Sequence, residues 1–349
     1  MGMRNIFTFL TLLFFAISCQ PRVSEQPTIM TVSGPVSAAD MDTTLIHEHV
    51  FLDWSGADSI QPERWDNETA FRAILPKLRE MQTFGVKTFF ECTPNYLGRN
   101  PALLRRLADS TGLQIVTNTG YYGARRNKYL PAHAFAETAE QLADRWTQEF
   151  EKGLDDGGIR PGFIKIGVDG DSVLSPIHQK LVQAAALTHL RTGLTIVAHT
   201  GPDAPALQEA DILEKMGVSL DAWVWTHAQG GSSEHHAALA RRGAWISLDG
   251  LGWAAPANGD SSDLKKYVQQ IDFLKNEGLL HRTLIAHDAG WYTHGEPGGG
   301  MFQPYTNIFT LLIPALKKRG FDERDIEQLL MKNPQEAYTI RVRKLEKPH

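Results

Sequence analysis

Cysteine is nearly missing from this chain. Cys19 and Cys92 are the only two among 349 residues, so a framework of disulfides is excluded. An excess of one charge is missing too: Lys plus Arg total 35 against 40 Asp plus Glu, giving a net charge of -5 and no concentrated basic block. That excludes the electrostatic footprint of a nucleic-acid binder. No apolar run is long enough for a comfortable membrane span. The nearest is 6–17, uncharged, preceded by Arg4 and interrupted only by Thr8 and Thr11, which is the pattern of an export signal. Nor does a Gly-x-Gly-x-x-Gly turn follow the first strand-like segment, which disfavours a dinucleotide-binding open sheet.

What is there begins with Leu45-Ile46-His47-Glu48-His49-Val50-Phe51. Apolar residues on both sides make this a buried strand, and alternation sends His47 and His49 to the same side. Two imidazoles on one rigid strand suit a divalent transition metal, since each offers one nitrogen while a neighbouring group holds the other. Taken alone, His-x-His is also compatible with two ordinary core or surface histidines.

The rest of the chain repeats one unit. Strand-like segments start at Leu45, Val86, Leu113, Gly162, Leu194, Ala222, Ala244 and Thr283. Helical apolar rhythm is expected over 68–84, 102–108, 134–154, 177–191, 204–216, 233–241 and 264–276. Eight alternations predict an α/β fold, a (β/α)8 TIM barrel. Residues 28–36 alternate up to a Gly-Pro turn and predict an N-terminal β-hairpin that plugs one end. Helices over 308–319 and 322–332 would complete the outer ring, with Asn333-Pro334 breaking the last. The expected organisation is a signal segment over 1–19, a polar tether over 20–27 and the barrel over 28–340.

In such a barrel the chemistry lies where strands end and their loops begin. The strand ends carry His47 and His49, Lys165, His199, His227 and Asp288, on the first, fourth, fifth, sixth and eighth strands. Their intervals match whole strand–helix units. Each has an ordinary alternative: a lone histidine is more often a hydrogen-bonded core residue, Asp288 could cap a helix, and Lys165 could pair with a carboxylate such as Glu91. The joint placement of all six favours one shared site with convergent ionisable groups.

These residues carry a resemblance. Leu45-Ile46-His47-Glu48-His49, Gly162-Phe163-Ile164-Lys165-Ile166, His199-Thr200, Thr226-His227 and His287-Asp288 look like the phosphotriesterase-related family of the amidohydrolase superfamily, as do Thr93-Pro94 and Gly98-Arg99-Asn100. The likeness runs from about Thr28 to Pro334. It implies two divalent metals, usually zinc, bridged by a carbamate on Lys165 and by a hydroxide. By position, His47, His49 and Asp288 would hold the more buried metal, His199 and His227 the more exposed one, and Lys165 would span both. Such metals lower the pKa of a bound water and polarise a substrate oxygen, and Asp288 is placed to take the proton.

The reading is thus a hydrolase of small-molecule ester-type bonds: phosphotriester, lactone or carboxyl ester. Tyr122 resembles a lactonase pocket tyrosine. Trp253 and Trp291, on loops after strands seven and eight, either wall the pocket or cover the rim. Asp249 either orients a ligand or caps its loop. Arg125-Arg126 with Lys128 reads as a solvated loop in preference to an anion site, and Gly295–Gly300 as a loop over the mouth. Gly230 and Gly250 stand where the family tends to carry an aspartate and a His or Arg, so its usual proton relay is in doubt.

Two alternatives follow. One is a surface lipoprotein that keeps the metal-containing barrel as a binding module with little turnover. The other is a one-metal deaminase, disfavoured by Lys165 and the two later histidines. Ala16-Ile17-Ser18-Cys19 resembles the lipobox of bacterial lipoproteins, implying lipidation of Cys19 and anchoring to the cell envelope; an incidental cysteine after a plain signal is the alternative. The partner expected is a small molecule rather than nucleic acid, with membrane contact through the lipid anchor only and room for a homodimer.

Overall fold

The computed structural model describes residues 1–2, 26–154, 158–254 and 262–346. The apolar run after Arg4, Cys19 and most of the tether lie outside them. An antiparallel hairpin, β1 (Thr28–Thr31) with β2 (Gly34–Ser37), precedes the barrel. The barrel strands follow as β3 (Thr44–Leu52), β4 (Thr88–Glu91), β5 (Gln114–Val116), β6 (Asn118–Thr119), β7 (Phe163–Gly167), β8 (Thr195–His199), β9 (Trp223–Thr226), β10 (Trp245–Leu248), β11 (Thr283–Ile285) and β12 (Gly290–Thr293).

All pairings between barrel strands are parallel, in the orders β12-β3-β4-β5 and β11-β10-β9-β8-β7-β6. Segments β5 and β6 are two halves of the third strand, split at Thr117. Segments β11 and β12 are two halves of the eighth, and the backbone of Asp288 and His49 ties that split to β3 (Asp288 N to His47 O, 3.0 Å; His49 N to Ala289 O, 2.8 Å). Counted this way there are eight strands closed on themselves, a (β/α)8 barrel.

Alternation along the strands separates two cores. Phe90, Val116, Phe163, Val197, Val224 and Trp245 fill the barrel interior, while residues such as Phe89, Ile115, Ile164, Ile196 and Ile246 face the helices. Ile29 of the hairpin and Tyr338 pack into the interior set, so the hairpin plugs the amino-terminal end as expected. One irregularity serves the site. Ile46 and His47 are adjacent yet both face inward, and the β3–β4 register shifts between Leu45 and Glu48; a bulge there re-aims the strand's upper half.

Several expected boundaries differ. The helix expected over 134–154 is two, Ala132–Ala136 and Ala139–Lys152, because Glu137 is extended and Thr138 with Gln141 forms a capping box that starts the second. Asn333-Pro334 does not end the last helix. A π-helical turn (Gln328–Lys332) precedes it and the chain continues helically through Asn333–Tyr338. Within this unbroken helical run it is the π-turn before it that makes room for the proline, which has no N–H to give. The same device recurs at Pro314, after the π-turn Ile308–Leu312. Finally, Trp291 is not on a loop but within β12, which pairs with β3 through Gly290 and His49.

Candidate metal centre

At the carboxyl end of the barrel, His47, His49, Lys165, His199, His227 and Asp288 line one cavity of about 480 Å³. Each arrives by strand geometry. His47 and His49 are alternate residues of β3, Lys165 follows the inward Phe163 on β7, and His199 follows the inward Val197 on β8. His227 and Asp288 each sit one to three residues past a strand and adopt left-handed backbone, φ 58° and 53°. Side chains other than glycine rarely hold that conformation, and residues held in it cluster at functional sites.

The imidazoles are oriented from behind. His47 Nδ1 lies 2.9 Å from Asp249 Oδ2, and His227 Nδ1 lies 2.8 Å from Asp249 Oδ1. Ser247 Oγ and the His227 N–H also donate to that carboxylate. His49 Nδ1 is 2.8 Å from Thr93 Oγ1. The Nε2 atoms of these three rings therefore turn toward the Asp288 carboxylate, at 2.9 Å for His49, 3.8 Å for His47 and 3.9 Å for His227. His199 packs edge-on to His227 with ring centroids 4.4 Å apart. The Tyr122 hydroxyl lies 3.1 Å from its Nε2.

Lys165 is buried with no carboxylate in ion-pair range among the described residues. Its Nζ sits 3.0 Å from His47 Nε2. The alternative pairing with Glu91 does not form: Glu91 Oε1 accepts from the Val50 N–H instead.

Electrostatics favour neutral imidazoles at His47 and His199 and ionised carboxylates at Asp288 and Asp249. Burial, with the Lys165 charge beside it, pushes His47 down to about 4. Burial and His227 hold His199 well below the usual histidine range. Burial opposes ionisation of Asp288 and Asp249, but the surrounding histidines outweigh it and hold both below the usual carboxylate range. His227 goes the other way: burial lowers it, and the facing Asp249 carboxylate more than restores it.

Imidazole nitrogens and ionised carboxylate oxygens converging in one buried place fit divalent metal ions. His47, His49 and Asp288 form one candidate group. His47, His227 and Asp249 also lie together, but Asp249 is already occupied by the Nδ1 sides of both rings. We read it as the residue that orients ligands rather than as a ligand.

Other sequence expectations resolve in space. Tyr122, Trp253 and Trp291 all line the cavity, with Trp253 tilted against His227 at 5.2 Å. Asp249 lies behind the histidines, out of the cavity's lining. Trp54, which did not stand out by residue type, lines it too, and so does Arg125, so the solvated-loop expectation for Arg125-Arg126 and Lys128 does not hold at Arg125, which the turn brings to the cavity. Glu48, between the two histidines, has a role that no local sequence pattern signals. It points outward and accepts from His287 Nδ1 at 2.6 Å and from the N–H groups of His287 and Ala289, bracketing Asp288. Gln229 occupies the space beside Gly250: a Cβ there would fall 2.1 Å from Nε2, the movable end of that side chain, and Gln229 Oε1 accepts from the Asp249 N–H at 3.3 Å.

Comparison with known proteins agrees with this architecture. A phosphotriesterase homology protein of Escherichia coli (strain K12) is 28% identical over 296 residues, covering 84% of this chain and 97% of that protein. An N-acetyltaurine hydrolase of Rattus norvegicus is 26% identical over 350 residues, covering 90% and 98%. The solved structure of an organophosphorus hydrolase from Deinococcus radiodurans superposes with a TM-score of 0.79 at 28% identity, covering 90% of this chain and 98% of that one. Residues 27–338 match the model of the Phosphotriesterase family, and this chain, with its ring of histidines at the barrel mouth, belongs to that family of hydrolases.

Proposed function

We propose that the protein is a binuclear metal-dependent hydrolase that cleaves an ester-type bond of a small molecule, whether phosphotriester, lactone or carboxyl ester. The observation that carries this reading is the convergence of the His47, His49 and His227 Nε2 atoms on Asp288, with Lys165 buried beside them and paired with no carboxylate among the described residues. In this reading His47, His49 and Asp288 would hold one ion and His199 and His227 the second. Lys165 would complete the set as a carbamate, a two-oxygen anion able to serve metal ions where the amine offers one nitrogen. Zinc is the metal we expect, since imidazole and carboxylate donors suit it. When bound, the ions would supply Lewis-acid polarisation of a substrate oxygen and a lowered pKa for water.

The chain's own residues do the rest. Asp249 and Thr93 fix ring orientation. Asp288, kept ionised, is the proton acceptor. Tyr122, through its hydroxyl beside His199, and the tryptophan walls hold the substrate and limit water. Elemental analysis with a panel of aryl esters, lactones and paraoxon tests this: about two metal ions per chain and turnover of at least one class are expected. Metal-free protein that stays inert after zinc, manganese or cobalt loading sinks it.

A second reading, a binding module, draws on Gly230 and on Gln229 filling the space beside Gly250. It requires that ligand binding persist with no turnover in either the native protein or Asp288→Asn. We further propose that the chain is exported and tethered through a lipid on Cys19.

A further inference from the structure

One charged group at the cavity is outside the metal-binding set. Arg125 lines the same cavity as the histidines, beside Leu52, Trp54, Leu97 and Trp291. Its guanidinium lies over the Trp54 ring, 5.2 Å from the centroid. Trp54 in turn packs edge-on against Trp291, at 6.1 Å. No carboxylate pairs with Arg125 among the described residues. Its neighbours are used differently: the Arg126 N–H donates to the Asp169 carboxylate, and Lys128 Nζ donates to Trp54 O at 2.6 Å. The three basic residues, alike in sequence, are thus separated by the fold into one facing the cavity and two fastening the loop.

That separation depends on unusual backbone. Arg125, Arg126 and Asn127 are all left-handed, with φ of 60°, 57° and 60°, a run that side-chain-bearing residues disfavour at each step. The turn is held by Asn127 N donating to Gly123 O at 3.0 Å, by Asn127 Oδ1 against His178 Nε2 at 3.0 Å, and by the Asp169 contact. Backbone held out of its preferred region by several neighbours points to function at the residue it positions. A guanidinium resting over an indole, with no carboxylate paired to it among the described residues, has N–H donors to offer an oxyanion entering the cavity, and its fork matches the two oxygens of such a group.

We propose that Arg125 is a specificity-determining residue that receives a compact anionic oxyacid group, a carboxylate or sulfonate, at the end of the substrate remote from the bond cleaved. The location of that bond rests on the hydrolase reading above; the anion site does not. The substrate class becomes small anionic acyl compounds with an apolar body that fits between Trp54, Trp253 and Trp291.

The test compares 4-carboxyphenyl acetate with its near-isosteric neutral partner, 4-carbamoylphenyl acetate, each referenced to its uncatalysed hydrolysis. The native protein is expected to prefer the carboxylate by about tenfold or more in kcat/KM, consistent with a charge-assisted paired contact. Arg125→Gln should abolish the preference. Arg125→Lys, which keeps the charge on the same loop, should retain part of it and so exclude misfolding as the cause.

Equilibrium binding of 4-hydroxybenzoate and 4-hydroxybenzamide, followed by tryptophan fluorescence, reads the same site without turnover. If neither ester is cleaved, the carboxyl-ester form of the hydrolase reading fails while the binding preference still decides Arg125. Equal affinity for the two compounds in the native protein, a preference that survives in Arg125→Gln, or a lysine variant as indifferent as the glutamine one overturns the proposal.

Discussion

Asp249 shows how much one buried carboxylate can settle. Its two oxygens hold the Nδ1 sides of His47 and His227 on different strands, so both rings present Nε2 to the cavity. The expected outcome of Asp249→Ala is a metal affinity lower by about 10–100-fold, the usual effect of losing a group that orients ligands, measured by competition with a chromophoric chelator. Asp288→Asn is expected to keep most of the fold and lose turnover by about a hundredfold or more, given the size of general-base contributions; steady-state assays on any ester the native protein cleaves check it. Both residues were visible in the sequence as strand-end carboxylates. Only coordinates distinguish the one facing the cavity from the one behind the rings.

At the scale of elements, the eighth strand carries the strongest constraint. It breaks between β11 and β12, Asp288 takes left-handed backbone at the break, and Glu48 on β3 collects three donors from the flanking residues. Glu48→Ala would leave buried N–H groups of His287 and Ala289 without an acceptor. It should cost about 3 kcal/mol or more by the usual penalty for orphaned buried donors, read from urea unfolding of the metal-free protein. The site should loosen with it, because the same contacts fix Asp288.

This interplay was hidden in sequence. The alternation of β3 marks Glu48 as outward-facing, but its partner lies 239 positions away, beyond any local pattern. The helix split at Glu137 and the π-turns before Pro314 and Pro334 were hidden for a related reason: apolar periodicity of neighbouring segments runs on through a cap or an extra residue.

The whole molecule carries a pH dependence unrelated to the metal centre. Glu209, on the helix Asp203–Lys215, is fully buried beside Thr200, and burial raises its carboxyl from 4.5 to about 8. The folded chain therefore keeps a proton there that the unfolded chain releases. Its contribution to stability is fully present below pH 4.5 and is lost as pH rises through about 8; linkage makes the total a few kcal/mol. Glu209→Gln should flatten the fall in unfolding free energy across that window, checked by urea midpoints at a series of pH values. Removing bound metal is expected to lower the thermal midpoint, since ions that bind only the folded chain stabilise it by mass action; calorimetry before and after chelation measures the shift. For the export proposal, Cys19→Ser should move the protein from membrane to soluble fractions and end incorporation of labelled palmitate.

The sequence by itself determined the closed eight-strand barrel and the identity of the residues at its strand ends, because period-two and helical periodicities are local and repeat with each unit. It also marked His47 and His49 for the same side, through a parity that a bulge below them does not disturb. What only the tertiary structure decided is direction and distance: which carboxylate sits behind the rings, that Trp291 belongs to a strand, that Gln229 fills the place beside Gly250, and that Arg125 rather than Arg126 or Lys128 faces the cavity. Those outcomes depend on left-handed turns and on hydrogen bonds between strands far apart in the chain. Residue type alone does not encode them, since the same arginine, aspartate or glutamine would serve equally well as a solvated loop residue until its neighbours in space are known.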